Sequence, residues 1–194
     1  MASYDPSTAL IVVDVQNDFA DPGGSLYVKE GEKVIAPINA EIRSAQDAGA
    51  LVVYTQDWHP ETTPHFAKDG GIWPVHCVQG TWGAELHPDL HVAGEVVQKG
   101  SGGEDGYSGF TVRDPRTGET SDTRLDALLR EHGITKTVVV GLATDYCVKE
   151  TAIDAARKGF STVVLKDMIR PVNLQPGDDE RAIGEMSAAG AEVA

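Results

Sequence analysis

The chain has 194 residues with 16 basic and 30 acidic side chains, giving a formal net charge of −14 with neutral histidines. That acidity argues against nucleic acid or an anionic membrane surface as the main partner, because both would repel it. Two cysteines cannot make a disulfide framework, the start MASYDPSTAL lacks the basic and apolar regions of a signal peptide, and runs such as Ile11–Val13 and Val138–Val140 fall far short of the ~20 residues a bilayer span needs. No membrane association and a cytoplasmic location are the expectations.

In chain order, Ala9–Val13 reads as a buried strand, followed after a loop by a helix over about Glu32–Ala48 with Gly49 at its C-terminus. Leu51–Tyr54 is the next strand, and Glu95–Gln98 a weaker one. A glycine-rich loop then leads to a helix around Thr123–His132, stopped by Gly133. Thr137–Val140 is the clearest strand, and the helix after it, from about Tyr146 to Lys158, ends at Gly159. Thr162–Leu165 is a strand, Asp179–Ala189 a last helix and Ala191–Val193 a final short strand. Strands apolar on both faces that alternate with helices predict one α/β domain over 1–194, in three layers, with a mainly parallel sheet covered by helices on both faces. Two connections, roughly Gln56–Gly94 and Gly100–Asp122, exceed the ~15 residues beyond which loops in compact domains are functional or disordered. The first holds all three tryptophans and the cluster His59, His65 and His76, which marks it as functional.

Ligands of open α/β sheets gather at the carboxyl ends of the strands. Asp14 closes the first strand, Asp57 follows the second, Lys99 the third and Cys147 the fourth. Cys147 enters a helix from the Gly141–Tyr146 turn, and the unpaired N–H groups of a first turn favour thiolate and can receive an oxyanion. A lone buried cysteine is as often an inert core residue, so its partners decide. Asp14 can take the thiol proton and later return it to a leaving amine, and the Lys99 ammonium favours both anions. Alone, Asp14 reads as a strand-end cap and Lys99 as a solvated cation; together with Cys147 they read as a reacting set.

The segment DWHPETTPHF with WPVHC places Asp57, His59, His65 and His76 in one loop, a carboxylate and three imidazoles of the kind that hold a divalent transition ion. Surface-loop histidines used for hydrogen bonding are the plain alternative. His87, His91 and His132 lack the clustering and read as structural, and Cys77 as a small buried filler. Phe19, Trp73 and Tyr146 lie beside these groups and can wall a flat ring, with core packing as the alternative. The glycines from Gly100 to Gly106 lack dinucleotide-binding spacing, and no phosphate-loop lysine signature is present.

These residues carry a resemblance. VDVQNDF (Val13–Phe19), DWHPETTPHF (Asp57–Phe66), WPVHCVQGTWGAELHP (Trp73–Pro88), Lys99-Gly with YSGF (Tyr107–Phe110) and GLATDYCVKETAIDA (Gly141–Ala155) resemble the isochorismatase-like cysteine hydrolases, and within them the nicotinamidase (pyrazinamidase) group. The likeness runs from about Ala9 to Ala189. It implies a catalytic triad of Asp14, Lys99 and Cys147 and a divalent metal (zinc, iron or manganese) on Asp57, His59 and His65, with His76 a less constant ligand. It further implies a cis peptide before Ala143, an oxyanion hole from the Ala143 and Cys147 amides, and a ring pocket from Phe19, Trp73, Leu142 and Tyr146. Tyr146 departs from members that carry histidine there. The implied reaction is hydrolysis of nicotinamide to nicotinate and ammonia through a thioester, extending to pyrazinamide, in NAD salvage and with no organic cofactor. A related amidase acting on another small amide, and a non-catalytic binder of heteroaromatic ligands, are the competing readings. Assembly into a homo-oligomer stays open.

Overall fold

The computed structural model describes residues 2–194. The elements are β1 (Thr8–Val13), α1 (Asn17–Ala20), α2 (Ile35–Asp47), β2 (Leu51–Asp57), β3 (Glu95–Lys99), β4 (Thr111–Arg113), β5 (Thr120–Asp122), α3 (Leu125–Glu131), β6 (Lys136–Leu142), α4 (Lys149–Arg157), β7 (Ser161–Arg170), α5 (Asp178–Ala188) and β8 (Glu192–Val193). Six strands form one parallel sheet in the order β3-β2-β1-β6-β7-β8, and β4 and β5 form a separate antiparallel pair.

All six residues of β1 are buried, because this central strand is covered on both sides. Ala9, Ile11 and Val13 face one core, closed by Leu125, Leu129, Ala152 and Met186 of α3, α4 and α5. Leu10 and Val12 face the other, closed by Ile35, Ile38 and Ile42 of α2 and by Cys77, Ala84 and Leu90 of the first long connection. Each aliphatic side chain so buried contributes about 1.5–3 kcal/mol. The expected three-layer α/β architecture is the one observed, with helices on both faces and every strand of the main sheet parallel.

The differences from the expected elements are local. β2, β6 and β7 extend further at their carboxyl ends than the apolar runs suggest, since β2 reaches Asp57, β6 Leu142 and β7 Arg170. A 3-10 turn over Gly31–Val34 precedes α2, and a π-type turn over Thr144–Val148 precedes α4. The second long connection contains the β4–β5 hairpin, whose strands are three residues each and show none of the buried alternation that marks a strand in sequence. Among the described residues no helix is long and apolar enough to cross a membrane.

Candidate active site

Strands β3, β2, β1 and β6 are lateral neighbours, so their carboxyl ends bring Lys99, Asp57, Asp14 and the turn into α4 together. Parallel register already sets Asp57 opposite Lys99. The chain leaves β1 sharply, with Asp14 in the left-handed region at φ 49° and the Gln16 N–H donating to the Asp14 carbonyl at 2.8 Å. The Asp14 carboxylate turns inward, where Thr55 Oγ1 donates to Oδ1 at 2.6 Å and Lys99 Nζ to Oδ2 at 2.7 Å. Lys99 also donates to Asp57 Oδ1 at 2.5 Å and to the Gly106 carbonyl, and its Nζ stands 3.7 Å from Cys147 Sγ. A fully buried ammonium is thereby held among two carboxylates, a carbonyl and a thiol.

Burial and charge set the protonation of this group. Desolvation opposes the Lys99 ammonium, but Asp14 and Asp57 outweigh it and push its pKa well above the ordinary lysine value. Burial also raises Asp57, yet Lys99 and the neighbouring imidazoles prevail and hold it below the usual carboxylate range. For Asp14 burial wins over Lys99, with Asp57 adding repulsion, so its pKa is raised. Burial, helped by Asp14 and Asp57, lifts the Cys147 thiol well above its ordinary value against the pull of Lys99. Dehydration and the two nearby carboxylates thus favour the thiol at Cys147, against the lysine.

Cys147 is placed by a close approach of backbones. Gly141 has φ 114°, and a Cβ there would run into the main chain of Val13, so only glycine lets β6 press against β1 at this level. The Leu142–Ala143 peptide is cis, and the Ala143 carbonyl then accepts from the N–H groups of Tyr146 and Val148, each at 3.1 Å.

The first long connection brings a second constellation against Asp57. His59, His65 and His76 are all buried and offer ring nitrogens within 4.8 Å of one another. His59 Nε2 stands 3.7 Å and His76 Nε2 4.0 Å from Asp57 Oδ2, beyond hydrogen-bond reach. Neither ring nitrogen of His59 has a hydrogen-bond partner among the described residues. His76 donates through Nδ1 to the Pro74 carbonyl at 2.7 Å, and burial lowers its pKa to about 4, which keeps a lone pair on Nε2. Buried imidazole nitrogens without partners, converging on an ionised carboxylate, fit a divalent cation of the zinc, iron or manganese kind. Cys77 is fully buried outside this cluster, its sulfur 3.8 Å from the Gly83 carbonyl, in keeping with a filler.

A cavity opens between the two groups. Phe19, Trp73, Leu142 and Tyr146 line it, as do Cys147 and Asp57. The Trp73 and Tyr146 rings pack edge-on at 4.8 Å in the cavity wall.

Several residues that build the site do not stand out in the sequence. Tyr107 lines the cavity and accepts from Trp73 Nε1 at 2.8 Å, fixing the indole. Gln16 clamps Asp57 from both sides, donating Nε2 to its carbonyl and accepting its N–H, each at 2.8 Å. Asp18 accepts from Cys77 N–H at 2.7 Å and Ser25 N–H at 2.9 Å, and a Cβ on Gly83 would strike its carboxylate. All three lie within the VDVQNDF and YSGF segments, next to residues those motifs already mark.

The family model described as Isochorismatase domain matches residues 8–194. The nicotinamidase of Escherichia coli K12 is 42% identical over 206 residues, covering 97% of this chain and 94% of that protein. The crystal structure of a pyrazinamidase of Pyrococcus horikoshii in complex with zinc superposes with a TM-score of 0.86 at 42% identity, covering 97% of this chain and 99% of that one. PnC1 from L. infantum in complex with nicotinate superposes with a TM-score of 0.89 at 39% identity, covering 100% of this chain and 95% of that one. On the whole-length match and these likenesses, the chain belongs to the isochorismatase domain family.

Proposed function

We propose that this protein is a metal-assisted cysteine amidase that hydrolyses nicotinamide to nicotinate and ammonia, and pyrazinamide in the same way. One observation carries the reading: a cysteine thiol that lines an aromatic-walled cavity stands beside a buried Asp14–Lys99 ion pair. The whole-length similarity to proteins named nicotinamidases supplies the substrate class.

In this account the aromatic walls hold the heteroaromatic ring, with the carboxamide carbon over Cys147 Sγ. Asp14, whose raised pKa suits it to accept a proton, takes the thiol hydrogen as sulfur bonds to that carbon. The carbonyl electron pair moves onto oxygen, which the N–H groups of Ala143 and Cys147 receive. Asp14 returns the proton to the amide nitrogen, the carbon–nitrogen bond breaks and ammonia leaves, so Cys147 carries a thioester. Water then attacks while Asp14 accepts its proton, and the thiol is restored with release of the carboxylate. Lys99 stays protonated throughout and keeps Asp14 oriented and ionised at the start. Asp57, His59, His65 and His76 would hold the divalent ion. When bound, that ion supplies a Lewis acid that anchors a ring nitrogen beside the walls.

The test is ammonia release from nicotinamide by the purified, zinc-loaded protein, beside a chelator-treated sample. Equal ammonia and nicotinate, lost on chelation and restored by zinc, is the expected result. No ammonia from the loaded protein overturns the assignment.

A further inference from the structure

His59, His65 and His76 are held in place by three different means. His76 leans on a backbone carbonyl, and His59 is wedged by packing, its ring stacked on His65 at 4.6 Å between centroids. His65 alone is held by a side chain: its Nδ1 lies 2.7 Å from Asp105 Oδ1. A carboxylate oxygen accepts, so the facing Nδ1 carries a hydrogen and Nε2 is the nitrogen turned away from Asp105. Asp105 itself is pinned. Its N–H donates to the Arg113 carbonyl at 2.8 Å and its carbonyl accepts from the Arg113 N–H at 2.9 Å, which ties it to the first strand of the β4–β5 hairpin.

We propose that Asp105 is a positioning residue for the metal centre, fixing the ring orientation and Nδ1–H tautomer of His65 from a loop fastened to the β4–β5 hairpin. The inference rests on the metal reading above. It gives the second long connection a role, since β4 and β5 bury little but fasten the residue that aims one ligand. Partners of this kind commonly govern metal affinity by 10- to 100-fold.

Two measurements test it on the full chain. In the metal-free protein, nitrogen-15 NMR of the imidazoles reports which nitrogen of His65 is protonated, without reference to zinc or turnover. The Nδ1–H form is expected in the parent and its loss in Asp105→Ala. Zinc alone is then titrated against a chromophoric chelator, where Asp105→Ala is expected to bind 10- to 100-fold more weakly. Asp105→Asn, which keeps an acceptor at the same reach, is expected to fall between the two and controls for folding. An Nε2–H His65 in the parent, or unchanged zinc affinity in Asp105→Ala, overturns the inference and leaves the metal reading standing. A parent that binds no zinc overturns the metal reading itself.

Discussion

Lys99, Asp57 and Asp14 are carried by hydrogen-bonded neighbours in one sheet, whereas His65, His76 and Trp73 lie in a connection that has neither α-helix nor sheet strand of its own. In the first region position follows from the backbone, because parallel strands in register fix where each end falls. In the second it follows from single polar anchors: Asp18 on Cys77 and Asp105 on His65. The strand-end groups therefore depend on the sheet, and the histidine cluster depends on a few replaceable side chains.

Lys99→Met attacks the strand-end region and carries the largest expected effect. It leaves the buried Asp14 and Asp57 carboxylates facing each other without their cation, a loss of about 3–5 kcal/mol of stability. Urea unfolding measures this, and a loss below about 1 kcal/mol would show that the cation does not hold the region together. Asp14→Asn leaves Lys99 its Asp57 and Gly106 partners, and is expected to lower kcat by about 10²–10⁴ while zinc content stays near that of the parent.

Asp18→Ala attacks the loop region and should show the opposite balance. It orphans the buried Cys77 N–H at about 1–3 kcal/mol and loosens the chain beside His76. Zinc retention after dialysis should fall further than in Asp14→Asn. If the two variants keep equal zinc, the division between regions is wrong.

The smallest effect separates the two cysteines by pH. Both thiols are raised, chiefly by burial, but Cys147 lines the cavity and Cys77 is fully enclosed. A raised thiol pKa favours the neutral form, so thiolate accumulates only as pH rises beyond the ordinary cysteine range. In metal-free protein, iodoacetamide should modify Cys147 slowly at neutral pH and faster as the solution becomes strongly basic, with Cys77 spared while the fold holds. Fast modification of Cys147 at pH 7 would support the thiolate reading.

The same division explains how much of the molecule is legible in its sequence. Apolar runs ending in Asp14, Asp57 and Lys99 announce buried parallel strands, and only the sheet order is needed to make those ends neighbours. The histidine cluster is visible as composition, but its closure against Asp57 depends on anchors distant in sequence, such as Asp105 for His65 forty positions away. The β4–β5 hairpin leaves no periodic signal because its strands are short and exposed. Turn N–H groups are visible in a sequence pattern and point to a thiolate at Cys147, while the dehydration and two carboxylates that favour the thiol belong to the folded site.

The central claim is that Cys147 is the nucleophile of a site whose metal cage is built separately. The most direct test is ammonia release from nicotinamide by Cys147→Ala, with bound zinc measured on the same sample. The account predicts parental zinc content and a loss of about 10⁴-fold or more in kcat/KM. Turnover within about tenfold of the parent, with zinc in place, would contradict it.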